Sequence, residues 1–234
     1  MTDEGSAEAR QDNVVALVPM RHRSERVPGK NYRLVAGRPL YAYILETLLS
    51  CPEVRQVVVD TDSPVILEGV ARQFPSVRLL ERPENLRAGD VPTNDVILHD
   101  IQAVPSRFYL QTHSTNPLLR AATVSLAIRT FLAGYPAHDS LFSVSRLQKR
   151  LWDRAGRPVN HDPAVLLRTQ DLPPLFEENS CIYVFEREVF LRHHNRLGST
   201  PAMFEMPAEE AWDIDEELDV QIVETLLAIR RAGG

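Results

Sequence analysis

The chain has 234 residues, of which 44% are hydrophobic and 25% are charged. Its 26 Lys and Arg against 32 Asp and Glu give a net charge of -6, which argues against broad binding to nucleic acid or to anionic membranes. No apolar window is long enough to predict a membrane span. The two cysteines, Cys51 and Cys181, form no CxxC pair, so we expect no zinc site and a reducing, cytoplasmic location.

Apolar runs and helical patterns alternate along residues 13–234, which predicts a single α/β domain after a polar, disordered tail at residues 1–12. The predicted strands lie at 14–18, 55–60, 77–80, 107–112, 140–146, 181–185 and 203–207. The predicted helices lie at 39–51, 63–74, 93–104, 121–135, 187–194 and 216–232, with Ser63 and Thr93 as N-caps. Such alternation produces βαβ units and a mostly parallel sheet. Four prolines interrupt residues 148–175, which predicts a small arm that makes dimer contacts.

A cation-rich loop follows the first predicted strand. It carries four cations and a single acid: Arg21, Arg23, Arg26, Lys30 and Glu25. Cations this close repel one another unless an anion lies among them, and ligands of parallel sheets bind at the carboxyl ends of the strands. The loop matches neither GxxxxGK[ST] nor GxGxxG. It therefore predicts a phosphate site of another kind, the alternative being a solvated surface loop.

Asp213 and Asp215 flank Ile214, so in extended backbone both carboxylates point to the same side. Paired carboxylates are suitable ligands for Mg²⁺, which completes its coordination with waters and phosphate oxygens. The same pattern before a helix also suits an N-cap and the helix dipole, and both interpretations stay open at this point.

Histidines give weaker signals. His193 and His194 are adjacent, no GxSxG motif accompanies them, and we expect solvated or capping roles. His113 follows the predicted strand at 107–112, where either a structural role or a role in the site is consistent with its position.

Five motifs, read in order from about residue 14 to residue 227, resemble the cytidylyltransferases that make CMP-activated sugar acids. They are RxxSxxxPxKN from Arg21 to Asn31, ERPENL with Asp90 and Thr93, STNPL, RTQDLPPLFEENSCIYVF and WDIDEELD. The resemblance implies a Rossmann-like nucleotidyltransferase fold that dimerises through an arm. It also implies CTP as a substrate, a small acidic acceptor, and Mg²⁺ as the metal.

The same resemblance implies roles for individual residues. The implied nucleotide-binding residues are Arg21, Ser24, Lys30, Asn31, Arg82 and Thr93, with Arg21 and Lys30 on the CTP phosphates. The implied acceptor-binding residues are His113, Asn116, Arg168 and Gln170. Asp213 and Asp215 would hold the metal, and Arg21, Lys30 and Asp215 would be catalytic.

This chain departs from the family pattern in three places. Where many members read GSKG it reads RSER, so Glu25 replaces a lysine, and Arg23 or Arg26 would compensate. It reads HSTNPLL in place of QPTSPLR, and RTQDLP in place of RRQDLP. Because these changes lie partly around the implied acceptor, they leave the acceptor open between a sugar acid and a phosphonate such as phosphonoformate. A phosphonate oxygen is already ionised near neutral pH, whereas a sugar hydroxyl needs activation.

Two other functions stay open. One is a non-catalytic nucleotide-binding protein that keeps the fold, for which the replacement at Glu25 is the main reason. The other is a sugar-1-phosphate nucleotidyltransferase, although the glycine-rich opening loop typical of those enzymes is missing here. We expect a homodimer, with no nucleic acid or membrane partner.

Overall fold

The structure is a computed structural model that describes residues 14–232. Within them, nine strands form a large sheet and a small hairpin. The strands are β1 (Val14–Met20), β2 (Leu34–Val35), β3 (Arg38–Pro39), β4 (Val54–Thr61), β5 (Arg78–Glu81), β6 (Phe108–Gln111), β7 (Ser140–Leu147), β8 (Leu175–Glu186) and β9 (Pro201–Glu205). The α-helices are α1 (Leu40–Leu49), α2 (Pro64–Gln73), α3 (Thr93–Ala103), α4 (Ala121–Gly134), α5 (Arg187–His193) and α6 (Glu217–Ala232). None of these helices is long and apolar enough to cross a membrane.

The large sheet has the strand order β5-β4-β1-β6-β8-β7-β9. Its pairs β5–β4, β4–β1, β1–β6 and β7–β9 are parallel, whereas β8 runs antiparallel to both of its neighbours. The predicted α/β class and mostly parallel sheet are therefore confirmed. The carboxyl ends of β4, β1 and β6 lie at one edge of the sheet, and the loops that follow them are neighbours.

The central strand β1 is buried on both faces of the sheet. Val14, Ala16 and Val18 pack in one apolar cluster with residues of α1 and α4, and Val15 and Leu17 pack in another with residues of α3. Double-sided burial is why the sequence of β1 is continuously apolar instead of alternating. A third cluster joins the cation-rich loop, α1 and α6 and includes Val27, Leu40, Ile214 and Val223.

Several predicted boundaries need correction. Strand β8 spans 12 residues, more than twice the predicted segment, because its first half is polar and held by antiparallel pairing with β7 across a bulge. Ser63 accepts a hydrogen bond from the backbone N–H of Ile66 and caps α2 as predicted. Thr93 does not cap α3, since Pro92 is the N-cap and Thr93 is already the first helical residue. The ring of Pro92 fixes its φ, and its backbone is extended, as is usual for an N-cap. The helix therefore begins at Thr93, one residue earlier than it would with Thr93 as the N-cap.

The segment predicted as an arm, residues 148–175, is held together mainly by loop hydrogen bonds. The side chain of Asn160 accepts from the N–H of Leu151 at 3.0 Å and donates to the carbonyls of Lys149 at 2.8 Å and Pro173 at 3.3 Å. Apolar side chains on this segment remain exposed, with Leu166 87% and Trp152 54% accessible. A dimer contact through this segment stays a prediction. The predicted tail at residues 1–12 lies outside the described residues.

Candidate functional site

The cation-rich loop after β1 is joined to the loop after β6. The Asn31 side chain donates to the carbonyl of Arg21 at 2.7 Å and accepts from the Ser114 hydroxyl at 2.6 Å. Arg21 itself donates to the carbonyl of Gly89 at 2.8 Å, which brings the loop after β5 to the same edge. Ser24 has a local role, because its hydroxyl accepts from the Val27 N–H at 3.4 Å. These bonds fix the loop conformation at the carboxyl end of β1.

A cleft at this edge brings together four of the residues predicted for the site: Arg21, Arg82, Thr93 and His113. Pro19, Leu86, Ala88, Val91 and Val96 complete its lining. The cleft thus has apolar walls with two guanidinium groups among them. Such a lining suits a ligand with a flat, partly apolar ring and polar edges.

Arg82 is held by a buried network that the sequence did not predict. Its Nε donates to Asp60 Oδ1, and the side chains of Arg82 and Asp60 are 3% and 0% exposed. His99 Nδ1 lies 3.2 Å from the second oxygen of Asp60 and 3.4 Å from Asp100. Burial and, to a smaller extent, the Asp60 carboxylate raise the pKa of Asp100 to about 7, while the hydrogen bond with His99 opposes the rise.

Asp60, His99 and Asp100 have donor atoms close enough to surround a metal ion. However, the side chains of Asp60 and Asp100 are fully buried, so an ion there would be cut off from the waters and phosphate oxygens with which Mg²⁺ completes its coordination. The network is better explained as a support that orients Arg82 toward the cleft. Because its acids are separated along the chain and none stands in a motif, no sequence pattern pointed to it.

The anion among the predicted phosphate-binding cations is Asp215. Lys30 Nζ donates to the carbonyl of Ile214 at 2.7 Å and lies 3.3 Å from Asp215 Oδ1. Arg26 approaches the same carboxylate oxygen at 2.7 Å. The Lys30 side chain is only 14% exposed, so the interpretation of the whole loop as a solvated surface does not hold for this residue.

Asp213 lies beside this group, with one buried carboxylate oxygen, Oδ1, that has no hydrogen-bond partner among residues 14–232. Burial, and then the neighbouring Asp215 charge, raise the pKa of Asp213. The side chain of Ile214 is buried, and its N–H donates to the carbonyl of Thr115 at 3.0 Å. Asn116 also holds this segment, donating to the carbonyl of Trp212 at 3.4 Å.

Neither Asp213 nor Asp215 caps α6, since among residues 14–232 no hydrogen bond joins either carboxylate to a backbone N–H of the first turn of that helix. Asp219, in the first turn of α6, accepts from the backbone N–H groups of Asp215 at 2.9 Å and Glu216 at 2.7 Å. Two neighbouring carboxylates, one with an unpaired buried oxygen, fit an oxygen-coordinated divalent cation. The residues present therefore fit Mg²⁺.

His113 lies partly buried next to these groups. Burial, and then the nearby cations of Arg196 and Lys30, lower its pKa to about 4. Its imidazole is therefore neutral near pH 7, and its low pKa makes it a weak proton acceptor. His193 and His194 lie away from the described cleft; His194 ends α5 with φ of 49° and contacts Asp95 at 2.7 Å, a capping role as predicted.

Arg168 and Gln170 lie exposed on the predicted arm. Arg168 pairs with Asp171 through two bonds of 2.7 Å and 3.1 Å, an exposed ion pair that is 73% and 40% accessible. Neither residue lines a described cleft. Their predicted acceptor role remains a prediction.

A second, open cleft lies between the base of the arm and the metal-binding candidates, and Asp213 belongs to its lining. The other lining residues are Ser145, Arg146, Leu147, Gln148, Lys149, Ala208, Ala211, Trp212 and Asp219. Trp212, Asp213 and Asp219 belong to the WDIDEELD motif, whereas residues 145–149 stand in no motif, so the meeting of these segments in one cleft could not be predicted from the sequence.

A family model described as cytidylyltransferase matches residues 15–224. The chain belongs to the cytidylyltransferase family. Its members are nucleotidyltransferases, so the predicted enzyme class is confirmed for this cytidylyltransferase.

Similar proteins cover nearly the whole chain. Post-translational flagellin modification protein B of Campylobacter coli is 24% identical over 229 residues, covering 92% of this chain and 94% of its own. CMP-N,N'-diacetyllegionaminic acid synthase of Legionella pneumophila is 27% identical, covering 93% and 97%. A solved CMP:2-keto-3-deoxy-manno-octonic acid synthetase complexed with CTP superposes with a TM-score of 0.69 at 18% identity, covering 93% and 99%. This last likeness confirms the predicted nucleotidyltransferase fold.

Proposed function

We propose that this cytidylyltransferase transfers CMP from CTP to a small acidic acceptor and releases pyrophosphate. The observation that carries the proposal is the meeting of Lys30, Asp213 and Asp215 beside a cleft lined by Arg21 and Arg82. Family membership across residues 15–224 supports the nucleotide, and the names of the relatives support the acceptor class, since two of them act on sugar acids.

The cytidine of CTP would occupy the cleft lined by Arg82 and Thr93. Apolar walls favour the ring, and the guanidinium of Arg82, held by Asp60, is oriented for hydrogen bonds to polar ring atoms. The triphosphate would extend toward Arg21 and Lys30. Arg26 would then leave Asp215 for a phosphate oxygen, which its exposed position permits.

The reaction is an in-line substitution at the α-phosphorus. An acceptor oxygen forms a bond to this phosphorus while the bond to the oxygen of the β-phosphate breaks, and the leaving group departs as pyrophosphate. Lys30 and Arg21 would stabilise negative charge that grows on the phosphate oxygens. Fixing both reactants at one sheet edge supplies much of the remaining rate enhancement.

Asp213 and Asp215 would hold Mg²⁺, which when bound neutralises phosphate charge and orients the oxygens that it contacts. Asp215 links that site to Lys30, so its loss should impair turnover more than nucleotide binding. For Asp215→Ala we expect kcat to fall by about 100-fold or more, with the Kd for CTP changed only a few fold. Unchanged turnover would remove Asp215 from the mechanism.

The acceptor is a sugar acid or a phosphonate. Sugar acids are favoured by the named relatives. A phosphonate is favoured by the low pKa of His113, because that imidazole is too weak a base to activate a hydroxyl efficiently, whereas a phosphonate oxygen is already ionised.

The test is pyrophosphate release from CTP and Mg²⁺ with N-acetylneuraminic acid, 3-deoxy-manno-octulosonic acid, phosphonoformate or a sugar 1-phosphate as acceptor. Release with one of the acids supports the proposal and identifies the acceptor class. Release with the sugar 1-phosphate alone would favour that other nucleotidyltransferase activity. Thermal stabilisation by CTP without release in any mixture would favour a non-catalytic nucleotide-binding protein.

We also propose a homodimer formed through the arm. Exposed apolar side chains there, among them Leu166 and Trp152, would be covered by a second copy. Light scattering would report a dimer mass, and Leu166→Asp should shift it toward the monomer. A monomeric wild-type protein at micromolar concentration would contradict this proposal.

A further inference from the structure

Arg196 is a partly buried cation that belongs to none of the motifs. It lies in the loop between α5 and β9, and its guanidinium carbon sits 3.9 Å from the centre of the Tyr183 ring. Its Nη1 donates to the side-chain carbonyl of Gln111, a fully buried residue at the end of β6. Stacking on an aromatic face leaves the edge of a guanidinium available for in-plane hydrogen bonds.

The charge of Arg196 is incompletely compensated. Its hydrogen-bonded partner is a neutral amide, and its buried Nε finds no acceptor among residues 14–232. Glu178 acts on its pKa from a distance, and the carboxylate of Glu178 instead accepts a hydrogen bond from the Tyr183 hydroxyl. Burying a guanidinium without a bonded carboxylate is costly unless a ligand supplies the missing negative charge.

Arg196 also lies near the proposed reaction centre. His113 lies within electrostatic reach of Arg196, Lys30 and Asp215, and it lines the nucleotide cleft. Gln111 is two residues before His113 on the same strand end. Arg196 thus lies near His113, one of the groups that would meet the acceptor.

We propose that Arg196 is a specificity-determining residue that binds the carboxylate of the acceptor. This inference rests on the proposed function, and it deepens that function by assigning the group that selects acids over neutral analogues. A planar carboxylate can accept two parallel hydrogen bonds from a guanidinium, and the unpaired Nε is one of the donors such a pair needs. Binding the carboxylate would also orient the attacking oxygen.

The test compares each acid with its own carboxamide, which keeps the shape and removes the charge. Calorimetry measures binding of N-acetylneuraminic acid, 3-deoxy-manno-octulosonic acid, phosphonoformate and their carboxamides to protein with Mg²⁺ and CDP, which cannot release pyrophosphate. The wild type should bind at least one acid at least about tenfold more tightly than its amide. Arg196→Gln should weaken acid binding by about 10- to 100-fold and abolish the preference.

Two further variants separate charge from structure. Gln111→Glu places a carboxylate on Arg196 and should weaken acid binding as Arg196→Gln does, while Arg196→Lys should keep part of the preference. Arg192→Gln, an exposed residue of α5, is the matched control and should change nothing. The Kd for CTP should stay within about twofold in all of them, because none contacts the proposed nucleotide site.

Several results would overturn the assignment. The first is a wild-type protein that binds no acid, or that binds acid and amide equally. This result can be obtained without any variant. The second is a folded Arg196→Gln protein, or a Gln111→Glu protein, that keeps the preference. The proposed function fails separately, when pyrophosphate is not released with any acceptor even though an acid binds in the calorimeter.

Discussion

The buried pair of Arg82 and Asp60 allows a quantitative test of how the cleft is built. In Asp60→Asn the carboxylate is replaced by a neutral amide of similar shape, and the Arg82 cation stays buried without its bonded counter-charge. Removing one partner of a buried ion pair costs about 3 to 5 kcal/mol of folding free energy. A chain of this length loses about 2 to 4 °C of Tm for each kcal/mol, so we expect Tm to fall by roughly 6 to 20 °C.

The assay is thermal unfolding followed by circular dichroism, with urea unfolding to confirm the change in free energy. The matched control is Asp171→Asn, which removes the same group from the exposed pair with Arg168 and should cost no more than about 1 kcal/mol. Because Arg82 lines the nucleotide cleft, Asp60→Asn should also weaken CTP binding. Equal Tm values for the two variants would refute the description of Arg82 and Asp60 as a buried, supporting pair.

Three further outcomes follow from the charges around the site. Asp100 has a pKa raised from 3.8 to about 7, so the folded state keeps its proton to a higher pH than the unfolded chain does. The free energy of unfolding therefore falls as pH rises from about 4 to about 7. Urea unfolding at several pH values should show a smaller fall of this free energy in Asp100→Asn. His113 has a pKa lowered to about 4, so the unfolded chain takes up a proton at a higher pH than the folded state does. The free energy of unfolding therefore falls as pH falls from about 6.5 to about 4, and His113→Gln should reduce this fall in the same measurements. Mg²⁺ should raise the Tm of the wild type, chelation should reverse the rise, and Asp213→Asn should reduce it by at least half.

The sequence pattern predicted those strands that are buried along their whole length. Strand β1 could be predicted from its apolar run because both of its faces are covered. The first half of β8 could not, since glutamates and an asparagine occupy an exposed part of an antiparallel ladder. The two-residue strands β2 and β3 were missed because a hairpin this short has no periodicity to detect.

The predictability of the candidate site followed the spacing of its residues along the chain. Asp213 and Asp215 could be proposed because they share a short motif, and the meeting of Asp215 with Lys30 needed the structure. The support of Arg82 by Asp60 was missed because a contact across 22 residues leaves no local pattern. Arg196 was missed for the same reason, as a single arginine in a loop is ordinarily solvated.

The stoichiometry of the transfer is the decisive measurement for a cytidylyltransferase that joins CMP to an acidic acceptor. The protein is incubated with CTP, Mg²⁺ and the acid that it binds, and mass spectrometry quantifies the CMP-linked acceptor while an enzymatic assay quantifies pyrophosphate. We predict one CMP-acceptor for each pyrophosphate, with both products lost in Asp215→Ala. CTP binding with neither product, or pyrophosphate formed without a CMP-acceptor, would show that the protein does not transfer CMP to an acid.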